Sequence, residues 1–229
     1  MFGSREAIIL ETLRELPKDV VLIGGYAVNA YVPPRFSIDC DIVVFDEIAE
    51  IRKTLLKKGF EKTEEGNVPN GKYFRFVRKG DKVSFDLLLD SVLDRETGIV
   101  FEDSLFKQYS RERFTVGRAN PIRIRLRVAD PELLFVMKFV SARRQDIRDI
   151  FMLSGTELDS NLIKEMVRKK CNAELIDKRV KSMKEKVISI GYRDSLHGAF
   201  GKIPDKTFES CRVNMIKILD ELEKTGREK

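Results

Sequence analysis

Residues 20–44 read VVLIGGYAVNAYVPPRFSIDCDIVV, and this segment decides the fold. Val20, Val21, Leu22 and Ile23 form a short, β-branched apolar run, which predicts a buried strand. Gly24 and Gly25 follow at once, where a strand must turn and another group can come close to the backbone. Tyr26 to Tyr31 suits a short helix, and Pro33-Pro34 ends it. The segment closes with Ser37-Ile38-Asp39-Cys40-Asp41-Ile42-Val43-Val44, in which polar and apolar residues alternate. Residues two apart on a strand share a face, so Asp39 and Asp41 project together, about 6–7 Å apart along the backbone. Carboxylates brought to ~4 Å at an effective dielectric of ~20 repel by about 4 kcal/mol. A divalent cation reverses that sign, and Mg2+ takes carboxylate oxygens together with substrate phosphates. Two ordinary charges on a solvated strand are the competing account, and the glycine turn just upstream argues against it.

The rest of the chain sets bounds. Its 229 residues make one large domain or two modest ones. A hydrophobic content of 42% with 15 Phe excludes a disordered chain. No apolar run approaches twenty residues, so no membrane span is expected, and the early charges in MFGSREAII argue against a secretory signal. A cytoplasmic location is the expectation. Cys40, Cys171 and Cys211 are widely spaced and His197 is the single histidine, which argues against zinc and against a disulfide framework. Cys40 points away from the aspartates and reads as a small buried apolar residue. Residues 1–159 hold 26 basic and 26 acidic side chains, residues 160–229 hold 17 and 11. Neutral then basic suggests chemistry in the first part and an anionic partner on the second.

Along the chain, Ser4 to Pro17 reads as a capped amphipathic helix and residues 46–58 as another. Residues 61–71 are polar and read as a loop or hairpin tip. Residues 72–78 and 82–90 read as a hairpin turning at Gly80-Asp81. Asp86, between Phe85 and Leu87, is costly there unless it has a partner. A short helix is expected over 103–109, with strands over 114–116 and 122–128. In the latter, Arg123, Arg125 and Arg127 alternate with Ile122, Ile124, Leu126 and Val128. That pattern fits an edge strand defended by charge or a strip that contacts phosphates. Asp130-Pro131-Glu132 opens an apolar helix in which Lys138 is the only charge between Leu133 and Ala142. Asp146 and Asp149 then share a helical face. Helices follow over 162–171, 173–190 and 208–224, with a loop over 191–206. Nine basic residues face four acidic ones between 164 and 186, as on a solvated helix face or an RNA-binding one.

Gly24-Gly25, a gap of thirteen residues and Asp39-x-Asp41 resemble the signature of the nucleotidyltransferase superfamily, the DNA polymerase β-like fold. The run Arg35-x-Ser37-x-Asp39-x-Asp41 is similar to a pattern of AbiEii-like toxins. Lys138 followed by Arg144-x-Asp146-x-x-Asp149 resembles their second block, with Gln145 where that family carries lysine and a shorter step from Lys138 to Arg144. The resemblance implies an α/β (α+β) fold, with a mixed sheet flanked by helices over residues 1–129 and a helical domain over 130–229. It implies Mg2+-dependent transfer of a nucleoside monophosphate from an NTP to a hydroxyl, releasing pyrophosphate. Asp39, Asp41 and a third carboxylate, Asp86 (with Asp90 as the fallback), would hold Mg2+ and activate the nucleophile. Gly24, Gly25, Arg35 and Ser37 would meet the nucleotide phosphates. Lys138 would grip the triphosphate, with Asp146 near the nucleotide or ordering that lysine. The implied acceptor is RNA, specifically a tRNA 3′ end, and the implied partner is an antitoxin. A small-molecule or protein acceptor, and a binding protein that keeps the fold without turnover, are the rival readings.

Overall fold

The computed structural model describes residues 2–45, 48–120 and 122–227 and forms two compact units. The first comprises residues 1–93 and 100–130, the second residues 94–99 and 131–229. The first unit opens with α1 (Phe2–Glu15), β1 (Val20–Ile23), α2 (Gly24–Val28), β2 (Asp39–Val44) and α3 (Ala49–Lys57). Then come β3 (Glu61–Val68), β4 (Gly71–Arg78), β5 (Val83–Leu89), β6 (Ser91–Leu93), β7 (Val100–Glu102), α4 (Asp103–Gln108), β8 (Ser110–Val116) and β9 (Arg123–Ala129). Seven of these strands form a mixed sheet in the order β3-β4-β5-β2-β1-β9-β8. The pairs β2–β5 and β1–β9 are parallel, and the others are antiparallel. Strands β6 and β7 pair separately.

The apolar runs explain the centre of this sheet. All four residues of β1 are buried, and β2 buries Cys40, Ile42, Val43 and Val44 while leaving Asp39 and Asp41 half-buried. Helix α1 buries Ile9, Leu10 and Leu13 at helical spacing, and α3 buries Ile51 and Leu55. Phe60 meets Phe85 edge-on, ring centres 5.2 Å apart, on the apolar side of the sheet.

The second unit is helical: α5 (Pro131–Ser141), α6 (Arg144–Leu153), α7 (Ser160–Lys170), α8 (Ala173–Ile188), α9 (Tyr192–Phe200) and α10 (Asp205–Arg227). Asp159 caps α7 by accepting from the N–H groups of Asn161 and Leu162, and Asn172 caps α8 through Leu175 N–H. Phe151 on α6 packs against Tyr192 and Phe208 at the heart of this unit. The 94–99 turn is closed by Asp94, which accepts from Thr97 and from the Ser141 hydroxyl of α5. Among the described residues no helix is long and apolar enough to cross a membrane.

Several local expectations need correction. Helix α1 already begins at Phe2, so Ser4 lies inside it rather than capping it. The helix expected over 46–58 spans Ala49–Lys57, and Asp46 and Glu47 lie outside the described residues. The polar segment after Gly59, read as a loop or hairpin tip, is strand β3, and only Pro69-Asn70 forms the tip of its hairpin with β4. Both its faces meet water, so no alternation marks it, and its backbone pairs with β4. Strand β9 is interior, flanked by β1 and β8, which removes the charge-defended-edge account of its arginines. The 191–206 segment contains α9, whose buried Tyr192, Leu196 and Phe200 recur every fourth residue.

Candidate active site

Strand register builds the site. Ile23 pairs with Asp41, Asp41 with Asp86, and Asp39 with Ser84. Paired residues share a face of the sheet, so Asp39, Asp41, Ser84 and Asp86 project from one side. Cys40 pairs with Phe85 on the other, fully buried side. The fallback Asp90 lies four residues beyond Asp86, past the end of β5 in a left-handed bend (φ 64°).

Strand β4 adds a cation. Arg75 stands opposite Asp86, with Tyr73 two residues along on the same face. Its Nη2 is 3.0 Å from Asp39 Oδ1 and 3.1 Å from Ser84 Oγ, and its Nη1 is 3.4 Å from Asp86 Oδ2. Tyr73 donates its hydroxyl to Asp86 Oδ1 at 3.3 Å, and Ser84 donates to Asp39. Burial pushes the Asp86 carboxyl up to about 6; Arg75 opposes the shift and Asp39 adds to it.

The glycine turn closes over Asp41. Gly24 has φ +67°, and a Cβ there would lie 2.0 Å from Asp41 Oδ2. At Gly25 a Cβ would lie 2.9 Å from Ser37 Oγ and 3.0 Å from Arg35 Nη2. Only the missing side chains let these groups approach. Asn29 holds the 34–38 segment against α2: its Oδ1 accepts from Arg35 N–H at 3.1 Å and its Nδ2 donates to Arg35 C=O at 2.9 Å. Tyr26 donates to Ser37 C=O at 2.9 Å. The structure therefore gathers Gly24, Gly25, Arg35, Ser37 and Asp41 at one end of the sheet, with Asp39 and Asp86 beside them.

Lys138 and Asp146 lie in the helical unit. Lys138 Nζ is 3.1 Å from Asp146 Oδ1 and 2.7 Å from Asp149 Oδ2, and all three residues are buried. Asp146 also accepts from Arg143 N–H at 3.2 Å, which caps the start of α6 just after the left-handed Ala142.

Among the described residues, no group of three or more His, Cys, Asp or Glu side chains is gathered closely enough to hold a metal ion. Like-charged carboxylates stay apart unless a cation sits among them, and for Asp39 and Asp86 that cation is Arg75. Three carboxylates and a hydroxyl are hard oxygen donors, the kind that Mg2+ takes. Neighbouring strands run about 4.8 Å apart, within reach of side-chain rotation that would bring Asp41 and Asp86 onto one ion.

Residues 8–216 match the sequence profile described as Nucleotidyl transferase AbiEii toxin, Type IV TA system. The chain belongs to the AbiEii family. It is a nucleotidyltransferase, and with that family come nucleotide substrates and an antitoxin partner. The resemblance seen in Gly24-Gly25 and Asp39-x-Asp41 is thus the family found across most of the chain. A comparison with curated proteins gives no match. Among solved structures, two from Helicobacter pylori cover 99% of the chain. One, assigned as a nucleotidyltransferase, is 14% identical with a TM-score of 0.41 over 95% of its length. The other, JHP933, is 16% identical with a TM-score of 0.38 over 92%. A STING-associated CdnE c-di-GMP synthase from Capnocytophaga granulosa is 10% identical with a TM-score of 0.26, covering 99% of this chain and 82% of its own.

Four residues of this AbiEii-family site escaped the sequence reading: Arg75, Tyr73, Ser84 and Asn29. Two of them carried a signal. Counting back from the Gly80-Asp81 turn places Arg75 opposite Asp86 and Tyr73 on the same face. Ser84 needed the β2–β5 register, and Asn29 needed the path of the 34–38 segment; neither is local information.

Proposed function

We propose that this AbiEii-family nucleotidyltransferase moves a nucleoside monophosphate from an NTP to a hydroxyl of an RNA, with a tRNA 3′ end as the acceptor, in a Mg2+-dependent reaction. The observation that carries this reading is the shared face of Asp39, Asp41 and Asp86 beside a glycine turn into which Asp41 is packed. Asp39, Asp41 and Asp86 would hold the metal. When bound, it neutralises phosphate charge and aligns the attacking and leaving oxygens.

The chain's own residues do the rest. Gly24 and Gly25 let the triphosphate approach the backbone, and Arg35 and Ser37, clamped by Asn29 and Tyr26, hold that turn in place. The acceptor oxygen bonds to the α-phosphorus while the bond from that phosphorus to the bridging oxygen breaks. Pyrophosphate leaves with the electron pair. The acceptor proton passes to Asp86, which the charge of a bound metal would keep ionised and able to take it. Arg75 steadies Asp39 and Asp86 before substrate arrives. Lys138 and Asp146 enter by fixing the α5–α6 corner, because the lysine charge is already shared by two buried carboxylates.

The basic excess of residues 160–229 supports an anionic acceptor. The test is incubation with labelled NTPs, Mg2+ and total RNA. Label is expected on RNA, lost in Asp39→Asn and Asp41→Asn and lost on chelation of divalent cations. Label on protein or a small molecule overturns the RNA acceptor. Undiminished labelling in both variants overturns the site.

A further inference from the structure

Resting on the RNA-acceptor reading, we propose that the open face of β8 and β9 binds a single-stranded segment of the acceptor RNA. Phe114 is its stacking platform, and Arg123, Arg125 and Arg127 are its phosphate contacts. Register supplies the first argument. Val21 pairs with Arg127, Val21 and Ile23 share a face of β1, and Ile23 pairs with Asp41. The three guanidiniums therefore project from the same side of the sheet as the carboxylates, two strands away from β2. Arg123, Arg125 and Arg127 stand at steps of about 7 Å along the strand. On β8, Glu112 pairs with Arg127 and Phe114 with Arg125, completing the face.

The second argument is the aromatic ring. Phe114 is 49% exposed, and the Arg123 guanidinium lies 4.7 Å from its ring centre. An exposed ring among guanidiniums is the chemistry that holds unpaired nucleotides: the π-face stacks on any base, and the cations meet the backbone. A duplex offers such a ring no free base. Beside it, Lys18, Glu112, Arg125 and Arg127 line a cavity of about 320 Å3, together with Arg111, which is paired with Asp130. Arg127 is already aimed, donating to Ser110 Oγ at 2.8 Å and to Lys107 C=O at 3.1 Å. Glu112 pairs with Arg125 on the surface, a contact weak enough to exchange for phosphate.

Helices α7 and α8 fit less well. They carry no aromatic residue, and Lys164, Lys169 and Lys184 are neutralised by Glu221, Glu165, and Asp220 with Glu223.

The test is fluorescence anisotropy of the full chain with a labelled single-stranded RNA and a duplex of the same length, in chelator and without NTP. Single-stranded RNA is expected to bind more tightly than duplex. Phe114→Ala should weaken binding roughly 5- to 100-fold while Phe114→Tyr retains it. Arg125→Ala should lower the slope of log affinity against log salt by about 0.7, and Glu112→Gln should tighten binding. Equal affinity for duplex, competition by polyglutamate of matched charge, or wild-type affinity in both Phe114→Ala and Arg125→Ala overturns the proposal. Since no nucleotide is transferred in this assay, Phe114-dependent binding by a protein that labels no RNA upholds the surface and removes only the acceptor reading.

Discussion

Gly24 and Asp41 define the tightest contact at the residue scale. Alanine at position 24 meets two penalties: a left-handed backbone, which costs an L-residue about 1–2 kcal/mol, and a Cβ inside the Asp41 carboxylate. Gly24→Ala is expected to lose about that stability in urea titrations and to lose nucleotidyl transfer as fully as Asp41→Asn. Asp86 gives a prediction in pH. Its folded pKa of about 6 lies above the ordinary carboxylate value, so the folded chain takes up a proton that the unfolded chain holds less tightly. The stability this contributes is fully present below about pH 4 and is lost as pH rises through 6. Across that window, in chelator, the wild type should lose up to about 3 kcal/mol relative to Asp86→Asn. A flat difference between the two proteins would show that Asp86 is solvated. The alternation of residues 37–44 announced Asp39 and Asp41, because a period of two is a local property. Arg75 was equally local in position, but its bridging of Asp39 to Asp86 depends on three strands at once.

At the scale of elements, the α5–α6 corner turns on one buried ammonium. Lys138→Met would leave Asp146 and Asp149 without that charge and is expected to cost about 3–5 kcal/mol in denaturant titration. Combining it with Asp149→Asn should recover part of the loss, as coupled partners do. The segment between α2 and β2 depends likewise on Asn29. Asn29→Ala removes both side-chain bonds to the Arg35 main chain and is expected to cost about 1–3 kcal/mol. It should lower transfer while leaving the three carboxylates in place. Strongly patterned elements such as β1, β2, α5 and α8 were legible as sequence. Strand β3 was not, because an edge strand wet on both faces needs no hydrophobic period. Helix α9 falls where a loop was expected, although Tyr192, Leu196 and Phe200 form a buried stripe at helical spacing.

At the scale of the molecule, the two compact units can be followed separately through their thiols. Cys40 belongs to the first, Cys171 and Cys211 to the second, and all three are buried. Burial pushes Cys171 and Cys211 up to about 11 and Cys40 well above its ordinary value, so thiolate is scarce at neutral pH. Native protein is expected to resist a thiol reagent, with all three cysteines labelled once unfolded. Peptide mapping at intermediate urea then reports which unit opens first. Rapid labelling of any one in the native state would contradict its burial. By itself the sequence determined the family, the glycine turn and the facing of Asp39 and Asp41, each written within some twenty consecutive residues. Only the tertiary structure decided that Arg75 ties Asp39 to Asp86 and that the arginines of β9 share the carboxylates' side. Register between strands distant in the chain is set by the burial of whole faces, and no local pattern encodes it.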